Sequence, residues 1–274
     1  MNLHTALLQG RQLLEDARIA APRLTAEVLL AHAIGRERTW LYAHSDEELR
    51  ELWWIHYGRY LHERLNGRPT QYITGRQEFY GREFLVTPDV LIPRPETEHV
   101  VEAVLERGSG AHRIVDIGTG SGAIAVTLAL ETKGRVFATD ISERALGVAA
   151  RNARRLGAPV DFAACDIGSA LRTEVFDFVI SNPPYVPESG SGDIQKEVRD
   201  YEPGVALFGG PDGLDVYRRL IPDAWRLLRP GGFLIMEIGW LAEARICAML
   251  GQWREVETKA DLAGIPRVAI ARKP

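Results

Sequence analysis

Only two cysteines occur in the sequence, Cys165 and Cys247, far apart and in no C-x-x-C pair, which excludes a disulfide framework and a cysteine-based zinc site. A reducing cytoplasm fits that usage. There is no basic excess either: the formal charge is -4 and the pI about 6.0, so the global electrostatic footprint of a protein devoted to nucleic acid is missing. Acidic and basic residues also nearly cancel within the first 75 positions, which gives little support to a DNA-reading domain there. No apolar run approaches the roughly 20 residues needed to cross a bilayer, and Met1-Asn2-Leu3-His4 does not begin a basic stretch followed by an apolar one. The expectation is a soluble, unprocessed, cytoplasmic protein without a membrane partner. The seven histidines are scattered and form no H-E-x-x-H, so no metal is expected. Internal repeats and low-complexity tracts are absent as well.

At 274 residues, 46% of them hydrophobic, the chain has material for one large core or two smaller ones. Its first 70 or so residues read as helical. Leu3 to Leu14 and Ala26 to Ala33 carry helical patterns broken by Ala21-Pro22 and Gly35. Ser45 with Glu48 has the form of a capping box ahead of Leu49, Trp53, Tyr57, Leu61 and Leu65, which recur at helical spacing until Gly67. This predicts a small helical bundle over 1–74, its leucine and aromatic stripe forming core. From 75 to 94 the residues turn β-prone, with Glu78-Phe79-Tyr80 and Glu83-Phe84-Leu85-Val86 flanking Gly81-Arg82, and predict a hairpin linker. Pro95 then starts a helix, with acids at its positive end.

Beyond it, strands and helices alternate. Strands are predicted at Arg113 to Ile117, Arg135 to Asp140, Val160 to Ala164, Phe176 to Asn182, Phe233 to Ile238 and around Arg267 to Ala271. Helices are predicted at Ser121 to Glu131, Glu143 to Leu156, Gly213 to Leu228 and Leu241 to Leu250. That alternation predicts an α/β domain over 95–274, with a mainly parallel sheet covered on both faces.

The first of these strands runs into Asp116-Ile117-Gly118-Thr119-Gly120-Ser121-Gly122, where glycines let the backbone approach a ligand closely. Asp140 ends the next strand about 20 residues on, placed to take both hydroxyls of a ribose. Together they point to a nucleoside cofactor. The spacing is G-x-G-x-G rather than the dinucleotide G-x-G-x-x-G, and an acid beside so tight a loop suits the methionine end of S-adenosylmethionine better than a pyrophosphate. Asp166, after the third strand, is placed to accept from the adenine amino group. A plain glycine turn and an NAD site are the other readings of the loop.

The fourth strand ends in Ser181-Asn182-Pro183-Pro184-Tyr185, where an open α/β sheet presents residues to its ligand crevice. Pro184 has no N–H, so its neighbour's carbonyl is left for a substrate. An NH2 group on a planar conjugated system has a delocalised lone pair and two hydrogens in one plane. The Asn182 side-chain oxygen and the Pro183 carbonyl offer one acceptor for each, and Tyr185 offers a ring to pack on the acceptor. A turn after a strand is the plainer reading of Asn-Pro-Pro-Tyr, and the cofactor loop upstream argues against it.

Asp116 to Gly122 with Asn182 to Tyr185 resemble the amino-group methyltransferases that act on adenine, cytosine or glutamine. Pro93-Arg94-Pro95-Glu96-Thr97-Glu98, Tyr201-Glu202-Pro203, Asp212-Gly213-Leu214 and Glu237-Ile238-Gly239 narrow the resemblance to the release factor glutamine N5-methyltransferases, and it extends over nearly the whole chain. It implies a Rossmann-like, seven-stranded class I methyltransferase sheet preceded by a substrate-recognising helical bundle. It also implies S-adenosyl-L-methionine as cofactor, and methylation of the glutamine in the Gly-Gly-Gln motif of peptide chain release factors, with no stable nucleic-acid partner. An adenine or cytosine amino-methyltransferase acting on nucleic acid is the competing reading. Cofactor contacts carry over to Gly118, Thr119, Gly120, Ser121, Gly122, Asp140, Ile167 after Asp166, and Asn182. Acceptor contacts carry over to Asn182, Pro183, Pro184 and Tyr185, with Asn182, Pro183 and Tyr185 in the catalytic role, and Phe79, Arg94, Glu96 and Thr97 are implied to line the acceptor pocket. One departure is visible: where the family often has an aromatic for the adenine, this chain has Ile167-Gly168.

Overall fold

The computed structural model describes residues 1–108, 110, 112–189 and 194–274, and the chain separates into two units: Met1–Gly75 with Gln195–Tyr201, and Arg76–Ile194 with Glu202–Pro274. Among the described residues no helix is long and apolar enough to cross a membrane.

The first unit is helical, with α1 (Leu3–Asp16), α2 (Pro22–Ile34), α3 (Arg38–Ala43), α4 (Glu51–Leu65) and α5 (Thr70–Thr74). Leu3, Leu14, Leu29, Leu30, Leu41, Tyr57 and Leu61 form its core, so the leucine and aromatic stripe is core as expected. The capping box at Ser45 and Glu48 does not form. Instead α4 starts at Glu51 behind Arg50, which makes no side-chain cap bond, and the carbonyls of Ser45 and Glu47 accept from His4 N (2.9 Å) and Leu3 N (3.0 Å). The first amides of α1 would otherwise lack partners, and that tertiary demand holds 45–47 in a turn, with Glu47 N donating to the His44 carbonyl (3.0 Å), ahead of α4.

The second unit begins with a hairpin of β1 (Arg76–Phe79) and β2 (Arg82–Leu85), joined through Tyr80 (φ 51°) and Gly81 (φ 68°). Two successive left-handed residues twist the turn in the sense that antiparallel strands require. There follow α6 (Glu98–Leu105), β3 (Arg113–Ile117), α7 (Ala123–Glu131), β4 (Arg135–Asp140), α8 (Glu143–Leu156), β5 (Val160–Ala164) and β6 (Phe176–Ser181). Next come α9 (Lys196–Tyr201), which belongs to the helical unit, α10 (Gly204–Leu207), α11 (Asp215–Leu227), β7 (Leu228–Glu237), α12 (Glu243–Met249), β8 (Arg254–Ala260) and β9 (Pro266–Arg272). The larger sheet has seven strands in the order β5-β4-β3-β6-β7-β9-β8; the first five are parallel, and β9 runs antiparallel to both β7 and β8.

Its inner strands β3, β4, β6, β7 and β9 are largely buried, and their side chains alternate between two cores as a period of two demands. Ile114, Phe178, Ile180, Ile235 and Ile270 pack with α6, α7 and the hairpin, whereas Val115, Val179, Leu234, Met236 and Ala271 pack with α11 and α12. The hairpin therefore packs into the core of the sheet domain. Asn152 of α8, fully buried, ties it to the loop after β3. Its Oδ1 accepts from Leu85 N (2.8 Å), and its Nδ2 donates to the carbonyls of Leu85 and Ser121 (both 2.9 Å). Removing that amide strands buried backbone groups at a cost of about 1–3 kcal/mol each. Asn152→Leu is expected to lower the unfolding free energy by at least about 2 kcal/mol in urea titration; an unchanged midpoint would show the amide to be dispensable.

Candidate active site

β4 lies on one side of β3 and β6 on the other, so the strand order reverses at β3, and at such a point the carboxyl edge of an open sheet leaves a crevice. Here the loops leaving β3, β4, β5 and β6, together with residues 89–97 and Pro203, enclose a cleft of about 1040 Å³ including its open mouth. Among the expected site residues, Gly118, Thr119, Gly120, Ser121, Asp140, Ile167, Asn182, Pro183, Pro184, Arg94 and Thr97 line it.

The loop after β3 is held by its backbone. Gly118 N and Thr119 N both donate to the Thr139 carbonyl (2.8 and 2.9 Å), and Gly120 N donates to Asp140 Oδ2 (2.8 Å). Gly120 sits at φ 56° and Gly122 at φ 82°, in the left-handed region. A Cβ at Gly120 would meet nothing within 4 Å, but one at Gly122 would stand 3.1 Å from Ala149 Cβ of α8. Gly120 thus opens backbone toward the cleft, and Gly122, behind it, lets α7 approach α8. Asp140 Oδ1 accepts from Ser142 N (2.9 Å), so both carboxylate oxygens hold backbone amides and still leave lone-pair capacity for a ligand hydroxyl. Burial raises the Asp140 pKa despite the backbone amides of Ser142, Gly120 and Ile141, which favour its charged form. Asp116 is fully buried, and burial pushes its pKa to about 7 although Thr119 Oγ1 donates to its Oδ2 (2.6 Å). It is not part of the cleft wall; the acid expected at the methionine end braces the loop from behind.

On the β5 side, Ile167 lines the cleft at φ 53°, a strained backbone for a β-branched residue. Two donors clamp its carbonyl: Thr139 Oγ1 (2.7 Å) and Cys165 Sγ (3.4 Å). A Cβ at Gly168 would lie 2.5 Å from Leu227 Cδ1 and 2.8 Å from Asp223 Oδ2, so a side chain at 168 would have to displace both. The Asp166 carboxylate is half exposed and ion-paired with Arg219 of α11, outside the cleft wall.

On the other side, Asn182 Nδ2 donates to Thr97 Oγ1 (3.1 Å), and Thr97 Oγ1 donates to Glu237 Oε2 (2.6 Å). Tyr185 donates its hydroxyl to Glu237 Oε1 (3.3 Å). Its ring stacks on Gly239, where a Cβ would stand 2.9 Å away, so Tyr185 supports the site from below instead of walling the cleft. Burial, then the neighbouring Glu237, raises the Tyr185 pKa, and burial pushes Glu237 to about 7. Arg94 pairs with Glu202, which also accepts from Ile92 N (3.1 Å). Phe79 is corrected from pocket to core: it is 1% exposed and meets Phe84 edge to face at 6.0 Å. Glu96 is half-buried beside the cleft residues Arg94 and Thr97 without lining the cleft. Glu237, Glu202, Thr139 and Cys165 also hold these groups in place, and none of them was among the site residues expected from the sequence. The strand-end Glu237-Ile238-Gly239 was the available signal for the first.

The family model described as the PrmC N-terminal domain matches residues 5–75, and that of the Methyltransferase small domain matches residues 97–198. The chain is 45% identical over 278 residues to a release factor glutamine methyltransferase of Koribacter versatilis, covering 100% of this chain and 99% of that one. It is 42% identical over 258 residues to the protein of that name from Bacillus subtilis, covering 90% of each. Among solved structures, a methyltransferase from Pyrococcus furiosus superposes with a TM-score of 0.53 at 20% identity, covering 71% of this chain and 90% of that one. A 16S rRNA N2 G1207 methyltransferase from Thermus thermophilus, solved with AdoMet and guanosine, gives a TM-score of 0.54 at 20% identity, covering 73% and 50%. These two likenesses are of fold.

Charge-assisted hydrogen bonds contribute about 1.5–3 kcal/mol. Asp140→Ala is therefore expected to weaken S-adenosylmethionine binding about 10-fold or more by calorimetry; an unchanged dissociation constant would leave Asp140 as a brace for Gly120 alone.

Proposed function

The chain belongs to the release factor glutamine methyltransferase family, and from that premise we propose that it transfers a methyl group from S-adenosylmethionine to the side-chain amide nitrogen (N5) of the glutamine in the Gly-Gly-Gln motif of peptide chain release factors. The observation that carries the reading is the orientation of Asn182. Its Nδ2 is engaged by Thr97, so Oδ1 is the group left for the cleft that Asn182 lines.

The cleft residues fit the cofactor. Gly118 to Ser121 offer backbone that a ligand can approach closely, Asp140 keeps lone pairs for ribose hydroxyls, and Ile167, Ala145 and Leu220 supply apolar surface for a base. When bound, S-adenosylmethionine supplies a methyl group activated by its sulfonium.

The protein's part is orientation and charge stabilisation. A primary amide nitrogen is a poor nucleophile, and its two hydrogens lie in the amide plane. Asn182 Oδ1 and the Pro183 carbonyl accept one each, holding the nitrogen in one orientation and favouring positive charge as it develops there. No strong base is needed first, because the nitrogen becomes acidic as it is methylated. The helical unit is, in this reading, the part that recognises the intact release factor, and the protein works in the cytoplasm without a stable nucleic-acid partner.

Asn182→Ala tests the assignment. Loss of one preorganised polar contact to developing charge costs about 10²–10³-fold in rate. Single-turnover methylation of release factor at saturating cofactor is expected to slow by about 10²-fold, with an unchanged circular dichroism spectrum. A folded, cofactor-binding variant that methylates at the wild-type rate would reduce Asn-Pro-Pro-Tyr to a turn.

A further inference from the structure

Glu237 ends β7 with its side chain 2% exposed, and nothing in the transfer described above uses it. A carboxyl group so buried normally survives only with partners. Its partners form a directional chain: Tyr185 and Thr97 donate to it, and Thr97, its single hydrogen spent, accepts from Asn182 Nδ2. A primary amide is nearly symmetric in shape, so packing alone distinguishes poorly between Oδ1 and Nδ2 facing the cleft. The hydroxyl of Thr97 is what distinguishes them.

We propose that Glu237 is a positioning residue that sets the polarity of Asn182 through Thr97, and that methyl transfer requires Glu237 ionised. The proposal rests on the acceptor role given to Asn182. With Glu237 ionised, Thr97 must donate to it and accept from Nδ2, which turns Oδ1 toward the substrate amide. A proton on Glu237 is placed on Oε2, which leaves Oε1 to accept from the half-buried Tyr185 hydroxyl as before. Glu237 then donates to Thr97, Thr97 donates toward Asn182, and the amide turns over to accept. Its NH2 would then face the substrate's own NH2, donor against donor.

The groups around Glu237 leave it as the one that titrates. The hydroxyls of Tyr185 and of Tyr217 of α11, which donates to the Glu237 main-chain carbonyl (2.9 Å), have pKa values raised by burial and stay neutral. Arg267 of β9, paired with Asp261 at 2.8 Å, favours the carboxylate, and Glu96 opposes it. Burial is the largest influence and brings the group to about 7. Ionisation above that pH is the active state, so the rate rises with pH.

The experiment is a single-turnover pH profile, at saturating S-adenosylmethionine and release factor, of the wild type, Thr97→Val and Thr97→Ser. A single group near neutrality gives roughly a tenfold rise between about pH 6 and 8. Thr97→Val, of the same shape without the hydroxyl, is expected to lower the plateau by about 10²-fold and to flatten the profile, with cofactor affinity within about twofold. Thr97→Ser is expected to restore both the rate and the pH dependence. A wild-type rate in Thr97→Val would overturn the proposal, and so would a rise with pH that persists both in Thr97→Val and in Thr97→Val combined with Asp116→Asn, which removes the other buried carboxyl pushed to about 7. A substrate-free reading separates this from failure of the functional assignment. In nuclear magnetic resonance titration, the Asn182 side-chain NH2 signal should move with the Glu237 carboxyl carbon in the wild type and not in Thr97→Val. A wild type inactive on release factor would then count against the substrate assignment, whereas an Asn182 signal indifferent to Glu237 would count against the coupling itself.

Discussion

Because β4 and β6 lie on opposite sides of β3, the connections leaving β3 and β6 diverge, and the space they vacate at the carboxyl edge of the sheet is the cleft on which every functional feature depends. Three of its walls are strand ends, whose positions follow from the parallel ladders that join β3 to β4 and β6, and β4 to β5. The loop after β3 is bound to the end of β4 through Thr139 and Asp140, and Asn182 comes directly off β6. The groups proposed to bind donor and acceptor are therefore fixed to neighbouring strands of one sheet, the kind of rigid support that orienting a weak nucleophile demands.

That rigidity has a local cost. Ile167 occupies a left-handed backbone position and is kept there by Thr139 and Cys165. Asp116 and Glu237 are both buried carboxyl groups with pKa values pushed to about 7. A carboxyl group whose folded pKa lies above its unfolded value binds more protons in the folded state. Its contribution to stability is therefore greatest at low pH and declines as the pH rises from the unfolded value, near 4, to the folded value. Around neutrality both groups disfavour the fold relative to acid. One braces the loop after β3, and the other stands behind Asn182, so the instability is concentrated where the chemistry needs fixed polar groups.

Much of this was legible in the sequence. β3, β4 and β5 carry near-continuous apolar or β-branched runs, and α8 has a clear amphipathic pattern. The G-x-G-x-G loop and Asn182-Pro183-Pro184-Tyr185 are legible because glycine and proline announce an unusual backbone locally, and in the second motif the Asn182 amide stands directly beside it. The edge strand β8, Arg-Glu-Val-Glu-Thr-Lys-Ala, was missed because its charges, which guard an edge against pairing, erase the apolar alternation. Ser45 and Glu48 misled because the local capping motif lost to the amides of α1. Phe79 and Asp166 could be placed only by their tertiary partners, Phe84 and Arg219. The link from Glu237 to Asn182 passes through a threonine 140 residues away from the glutamate in sequence, and no local pattern records it.

A cleft that presents acceptors to a protein glutamine amide must leave its mark on one substrate and not on others. The most direct measurement is incubation of the purified protein with methyl-labelled S-adenosylmethionine and, side by side, release factor, tRNA, rRNA and DNA, followed by mass spectrometry of the labelled species. The account predicts one methyl group on the glutamine side chain of the Gly-Gly-Gln motif and no label on the nucleic acids; label on nucleic acid with none on release factor would contradict it.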